Sequence, residues 1–390
     1  MKILLVTQNF YPEIGSGANR LKNLYMQLSK THDVTVLTTE PSYPNHNLYK
    51  DKKYWNEPEI DKSSDIQRLK MRMDKQGQSL KMRVLYYIEL AYKVWLYVNK
   101  HQKEYDVVYV TSPNIFLPWA TLFQKKVKGV QKVLEVRDLW PDSVKAIEKI
   151  DINMMFPVLK ILEKMIYLLA DKIVINNEEF RKHILNHTES KEILYLPNSF
   201  LEEELQFKDI ESDFKVIYTG NIGFAQSYEQ LKDIINKLEQ EKVTFNIVGY
   251  GYNAHRLQAY IESKNMKYVT FYEERNREEC LEMIRDHNVA LSLLKENDVF
   301  LKVLPGKVID AVGSGVPVVS NLGGYSKILI NGNNVGFSKE RSTPEEIYNM
   351  INIIRNDKDL ELRLRTNARK LARRQFVWEN NIQSLTDFLK

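Results

Sequence analysis

The chain has 390 residues, 43% of them hydrophobic and 27% charged, with a formal net charge of +5. That length exceeds one ordinary core, so two domains are expected in a soluble globular protein. Cys280 is the single cysteine, which excludes an intramolecular disulfide framework and points to a reducing, cytoplasmic compartment. The apolar run at Met1–Thr7 is too short for a signal peptide. No stretch approaches the roughly 18 uninterrupted apolar residues of a membrane span. Charge is uneven: residues 1–200 hold 30 Lys and Arg against 23 Asp and Glu, and residues 201–390 hold 26 against 28. The basic half would be drawn to anionic lipid or to a phosphorylated acceptor.

Ile3–Thr7 is a continuous apolar run, as in a parallel strand buried on both faces. A loop with Gly15 and Gly17 follows, then a helical pattern through Leu21, Leu24, Tyr25 and Leu28, then a strand at Val34–Thr38. This is the opening of a Rossmann-like domain. The glycine spacing is not that of a dinucleotide fingerprint, but a flexible loop above a helix N-terminus can approach a phosphate closely. Residues 62–103 carry ten Lys and Arg against three Asp and Glu, interleaved with apolar and aromatic residues. They read either as an amphipathic helix lying on a membrane surface or as a core helix with a solvated basic face. No nucleic-acid motif accompanies the charge. Further strands are expected at Val107–Val110, Val133–Val136, Ile173–Asn176 and Ile193–Leu196, with helices at Leu80–Asn99 and Phe156–Leu169.

Arg137-Asp138-Leu139-Trp140-Pro141-Asp142-Ser143 follows the Val133–Val136 strand, at the end where open α/β sheets bind ligands. The structural alternative is a helix cap at Asp142 or Ser143 with Trp140 in the core. His32 and His183 read as surface or helix-end residues, and no metal-ligating set is expected. Leu201–Asp213 reads as a linker. A second α/β series then repeats the plan, with strands at Val216–Tyr218, Phe245–Val248, Val269–Phe271, Val289–Leu293 and Val316–Ser320. Helices fall around 227–239, 253–262, 277–286 and 344–356. Two loops follow strands here: one carries Gly220, Asn221, Gly223 and Gln226, the other Gly249 and Gly251. Pro305 and Gly306 suit entry to a short helix whose exit is marked by Gly313 and Gly315. Its N-terminus offers backbone N–H groups to an anion, and Lys307 and Asp310 share a face at i, i+3. The domains are therefore expected at 1–200 and 201–375. Trp378, Ile382 and Leu385 mark one face of a terminal helix, about 376–390, that packs back on the first domain.

In this order the motifs resemble the bacterial retaining glycosyltransferases of the GT-B fold, family 4-like. The likeness is nearest to the fucosaminyltransferase-like branch that builds O-antigen and capsule. It rests on Tyr11-Pro12-Glu13-Ile14-Gly15-Ser16-Gly17 with Arg20, Pro41-Ser42-Tyr43-Pro44, Arg137-Asp138-Leu139-Trp140-Pro141, Leu196-Pro197-Asn198-Ser199, Gly220-Asn221-Ile222-Gly223 with Gln226, and Pro305-Gly306-Lys307 through Val319. The resemblance implies two Rossmann-like domains facing a cleft and a metal-independent transfer with no cofactor. A UDP-linked N-acetylated or deoxy sugar would pass to a lipid-linked glycan at the inner face of the cell membrane. It gives Asp310 to the ribose, Gly306 and Lys307 to the diphosphate, Gly15 and Gly17 to closure over it, and Asp138 with Arg137 to the reacting sugar. Two departures stand out: the first glutamate of the family's E-x7-E motif falls at Lys302, and the Arg/Lys pair that many relatives place after the first strand of the second domain is absent, with Asn221 and Gln226 near there. The rival readings are a UDP-sugar epimerase of the same fold and a non-catalytic scaffold subunit.

Overall fold

A computed structural model of the protein describes residues 1–43, 45–73, 80–147, 152–188, 190–210 and 213–390. Pro44, residues 74–79 of the basic stretch and residues 211–212 of the linker lie outside the described residues. The chain forms two compact units, Met1–Pro197 with Trp378–Lys390, and Asn198–Val377.

The first unit is built on a parallel sheet of seven strands: β1 (Lys2–Val6), β2 (Asp33–Thr39), β3 (Ile66–Leu69), β4 (Val107–Thr111), β5 (Gln131–Val136), β6 (Lys172–Ile175) and β7 (Ile193–Tyr195). Their order is β3-β2-β1-β4-β5-β6-β7. The chain reverses its winding direction between β1 and β4, which leaves a crevice at the carboxyl ends of those strands. Both strands are nearly or wholly apolar because helices cover both sheet faces. Leu4 and Val6 enter the core with Val108, Val110 and Leu134, under Leu90, Val94 and Val98 of the helix Leu80–His101.

That helix exposes apolar residues as well as burying them. Tyr86, Leu90, Val94 and Val98 are buried at four-residue spacing, but Val84, Leu85, Ile88, Tyr92, Trp95 and Leu96 are exposed. Among its described side chains, the surface it presents is therefore largely apolar. On another side of the unit, the helix Ser16–Ser29 packs against the terminal helix Trp378–Leu389. Trp378 is fully buried with the Arg20 guanidinium 5.4 Å above its ring, and Gln27 Nε2 donates to Glu379 Oε1 at 3.2 Å.

The second unit repeats the plan with six parallel strands: β8 (Lys215–Asn221), β9 (Thr244–Tyr250), β10 (Val269–Tyr272), β11 (Val289–Ser292), β12 (Val318–Ser320) and β13 (Gly336–Ser338). The order is β10-β9-β8-β11-β12-β13, with the switch between β8 and β11. A long charged helix, Lys358–Gln375, was not expected from the sequence; it buries Leu364, Ala368 and Leu371 along one stripe.

At the edge, Gly336 has φ +153°, and a Cβ there would lie 1.9 Å from the Val318 carbonyl oxygen. Gly336→Ala must therefore break the β12–β13 pairing locally. The expected loss is roughly 3 kcal/mol, the upper end of common substitutions. An unchanged urea midpoint would contradict it.

Candidate functional site

In the second unit, polar groups gather where β8 and β9 end. Gly220 has φ +98°, and a Cβ there would sit 2.9 Å from Lys307 Nζ, so the bare backbone leaves room for the lysine. Lys307 Nζ donates to the carbonyls of Thr219 and, at 3.4 Å, Asn221, and it lies 4.3 Å from the centre of the Tyr218 ring. Burial pulls its pKa down to about 7, with the Asp310 carboxylate resisting that fall. The ammonium is thus held where few compensating charges reach it.

Lys307 belongs to the helix Gly306–Gly313, whose N-cap is Pro305 and which has no side-chain cap. Within its first turn Val308 N donates to Pro305 O at 3.0 Å, and the positive end of the helix dipole lies at Gly306 and Lys307. Gly315, at φ +70°, ends the helix in the left-handed conformation.

The β8 loop is stitched to the β9 loop. Ile222 N donates to Tyr250 O at 2.7 Å, Asn253 N to Ile222 O at 2.9 Å, and Gly223 N to Gln226 Oε1 at 2.8 Å. The Asn221 amide lies against both Gly223 and Gly251, where any Cβ would meet it. Gly249 differs from the other expected site glycines, because a Cβ there would strike Ile222 Cδ1 at 2.7 Å. Its bareness serves packing.

Asp310 carries an ion pair that the sequence reading missed. Arg277 Nη1 donates to Asp310 Oδ1 at 2.9 Å, and Arg277 Nε donates to Glu204 Oε1 at 2.9 Å. The guanidinium rests 4.8 Å from the Phe200 ring centre. Both carboxylates hold the Arg277 pKa above its ordinary value despite burial. One Asp310 oxygen is thus fixed in place.

In the first unit, the carboxyl ends of β1, β4 and β5 bring Gly15, Gly17, Arg137 and Asp138 into one neighbourhood. Gly15 stands at φ +135° ahead of the helix Ser16–Ser29. A Cβ on Gly17 would lie 2.4 Å from Arg137 Nη1, so the guanidinium occupies the space a side chain would take. Arg137 Nε donates to Ser112 O at 2.9 Å. Beneath it, Glu135 accepts from Arg20 Nε at 2.9 Å, Arg20 Nη2 at 2.7 Å and Tyr109 OH at 3.0 Å. Arg20 and Glu135 are fully buried, and Arg137 Nε lies 3.8 Å from the second Glu135 oxygen.

Removing either partner of such a buried pair would strand the other's charge. The signal for Glu135 was a lone acid in an otherwise apolar strand end, Val133-Leu134-Glu135-Val136. Burial raises the Asp138 pKa, while Ser143, the Leu139 N–H and Arg137 hold it back. The short helix Asp142–Lys145 begins after Pro141 without a side-chain cap, so the capping alternative fails, whereas Trp140 does pack against the core and Phe116. Asp142 instead accepts from Lys160 Nζ at 2.8 Å.

Glu13 is a further residue the sequence reading used only as part of a motif. It is buried, and Oε1 accepts from the backbone N–H groups of Ser42 at 2.8 Å and Tyr43 at 3.0 Å. It thereby pins the Pro41–Tyr43 segment over the end of β1.

Residues 201–371 match the sequence family described as Glycosyl transferases group 1. A curated relative is WcaI of Escherichia coli K12, named as a colanic acid biosynthesis glycosyl transferase; it is 21% identical over 333 residues, covering 80% of this chain and 79% of WcaI. Among solved structures, sucrose-phosphate synthase of Thermosynechococcus elongatus superposes with a TM-score of 0.74 at 14% identity, covering 99% of this chain and 98% of that one. HepE of Anabaena in complex with UDP-glucose gives a TM-score of 0.71 at 15% identity, covering 100% and 99%. The two parallel sheets and these superpositions show the GT-B fold.

Proposed function

We propose that this chain, whose residues 201–371 match the group 1 glycosyl transferases, is a retaining, metal-independent glycosyltransferase of bacterial surface-polysaccharide synthesis. The donor is a UDP-linked sugar and the acceptor a lipid-linked glycan. The observation that carries the reading is Lys307, a half-buried cation held against the bare Gly220 backbone, at a helix start with no side-chain cap. Such a place suits a diphosphate, which restores the charge balance that the lysine lacks alone. Support for the donor comes from HepE, which was solved with UDP-glucose, and support for the pathway from the name of WcaI.

In the reaction, the bond between the sugar's anomeric carbon and the diphosphate oxygen breaks. The acceptor oxygen bonds to that carbon on the same face, and its proton passes to the leaving diphosphate. The task of Lys307 and the helix start is to stabilise charge on that leaving group. Asp310, fixed by Arg277, would accept from the ribose hydroxyls through its second oxygen. Arg137 and Asp138 are assigned to the reacting sugar.

A thermal-shift screen across nucleotides tests the reading. UDP should raise the melting temperature by mass action, and Asp310→Asn should reduce that rise relative to its own baseline. Protection by NAD with none by UDP would sink it.

The acceptor's lipid suggests a membrane surface. No described helix is long and apolar enough to cross a bilayer. The exposed face of Leu80–His101, with Val158, Ile161 and Leu168 also exposed on Phe156–Leu169, suits shallow insertion beside anionic headgroups. Co-flotation with phosphatidylglycerol vesicles should be lost in Ile88→Glu/Trp95→Glu; flotation unchanged in that variant would argue against this surface.

A further inference from the structure

Glu163, His183 and His187 form a cluster in the first unit that the transfer reaction does not use. The ligand-capable atoms, one from each residue, lie within 4.8 Å of one another. Glu163 comes from the helix Phe156–Leu169 and is fully buried. His183 lies in the last turn of the helix Glu179–Leu185, and His187 follows just beyond its end. His183 is thus near a helix end, but its ring is turned inward, with Nε2 2.7 Å from Glu163 Oε1. Tyr167 OH donates to the same oxygen at 3.0 Å, and Lys160 pairs with the other.

The second observation concerns His187. Its Nδ1 is 2.9 Å from the His183 carbonyl oxygen, so Nδ1 must carry the proton and Nε2 the lone pair. That tautomer, fixed by a backbone carbonyl, is the one metal-bound histidines adopt. The two imidazoles are neighbours, with ring centres 4.9 Å apart.

We propose that Glu163 Oε1, His183 Nε2 and His187 Nε2 bind one zinc-class divalent ion, with solvent in the fourth position. Two imidazoles and a carboxylate suit an ion of borderline softness and tetrahedral preference. On binding, the proton on His183 Nε2 moves to Nδ1, which frees the Nε2 lone pair for the ion, and Lys160 remains paired with Asp142. The ion clasps the helices Phe156–Leu169 and Glu179–Leu185 together. None of the three ligands belongs to the Arg137–Asp138 segment, so the ion is not needed for the transfer.

The test uses full-length protein stripped with chelator and titrated calorimetrically with Zn²⁺. One equivalent should bind and should raise the melting temperature. His187→Ala keeps the Glu163–His183 and Lys160 contacts and should therefore fold, yet bind at least about tenfold more weakly. Cys280→Ser should bind as the wild type does. Co²⁺ should give the intense visible bands of a four-coordinate site. No binding by the wild type, equal binding by His187→Ala, loss in Cys280→Ser or a weak octahedral Co²⁺ spectrum would each overturn the proposal.

Discussion

Lys307→Met is expected to lower kcat/KM about 10²- to 10³-fold, the usual cost of removing one group that stabilises developing negative charge. The pH profile provides the sharper test. With its pKa at about 7 in the free protein, the wild-type lysine is charged below that value and neutral above it. Only the charged form attracts the diphosphate, so kcat/KM should fall as pH rises through about 7. Lys307→Arg stays charged throughout, so that limb should vanish even where the absolute rate is lower.

Stability should move the other way. An unfolded lysine holds its proton up to about 10.5, whereas the folded one releases it at about 7. Between those values the unfolded state binds more protons, so stability gains with rising pH. The burial penalty is fully felt below about pH 7. Melting temperatures of wild type minus Lys307→Met should accordingly increase from pH 7 towards pH 10. A flat difference, together with a flat kcat/KM profile, would show that the amine does not titrate there.

The contrast between this lysine and its surroundings explains what a sequence can convey. Apolar runs such as Ile3–Val6 and Val107–Val110 declare buried parallel strands, because both faces must be apolar. The helix Phe156–Leu169 was legible to the residue from its periodicity. Strand β3 was missed because Ile66-Gln67-Arg68-Leu69 is a half-exposed edge, and β13 because it has three residues and begins with glycine.

Spacing along one helix relates Lys307 to Asp310, yet it cannot reveal Arg277, which reaches Asp310 across 33 residues of sequence. Arg20 and Glu135 meet across 115 residues. Such pairs are decided by tertiary packing, which local patterning does not encode. The helix Leu80–His101 teaches a related lesson: it is apolar on two faces, and periodicity does not say which one the sheet covers.

Arg137→Met should likewise cost about 10²- to 10³-fold in kcat/KM if the guanidinium steadies charge at the reacting sugar. Methionine keeps much of the volume, and Glu135 retains Arg20 and Tyr109 as partners, so the fold should survive. UDP should still protect the variant thermally, because Lys307 and the Gly306 helix start are untouched. That separates a role in the reaction from a role in nucleotide binding.

Gly17 supplies the second arm. Gly17→Ala places a methyl group 2.4 Å from Arg137 Nη1, so the guanidinium must move away. Its activity loss should be large in the wild-type background and small once Arg137 is already methionine. Residues acting through one group are non-additive, with coupling of about 0.5–3 kcal/mol in such cycles. Equal losses in both backgrounds would mean that the Gly17 loop acts by its own backbone, and that Arg137 is a structural strut above Glu135.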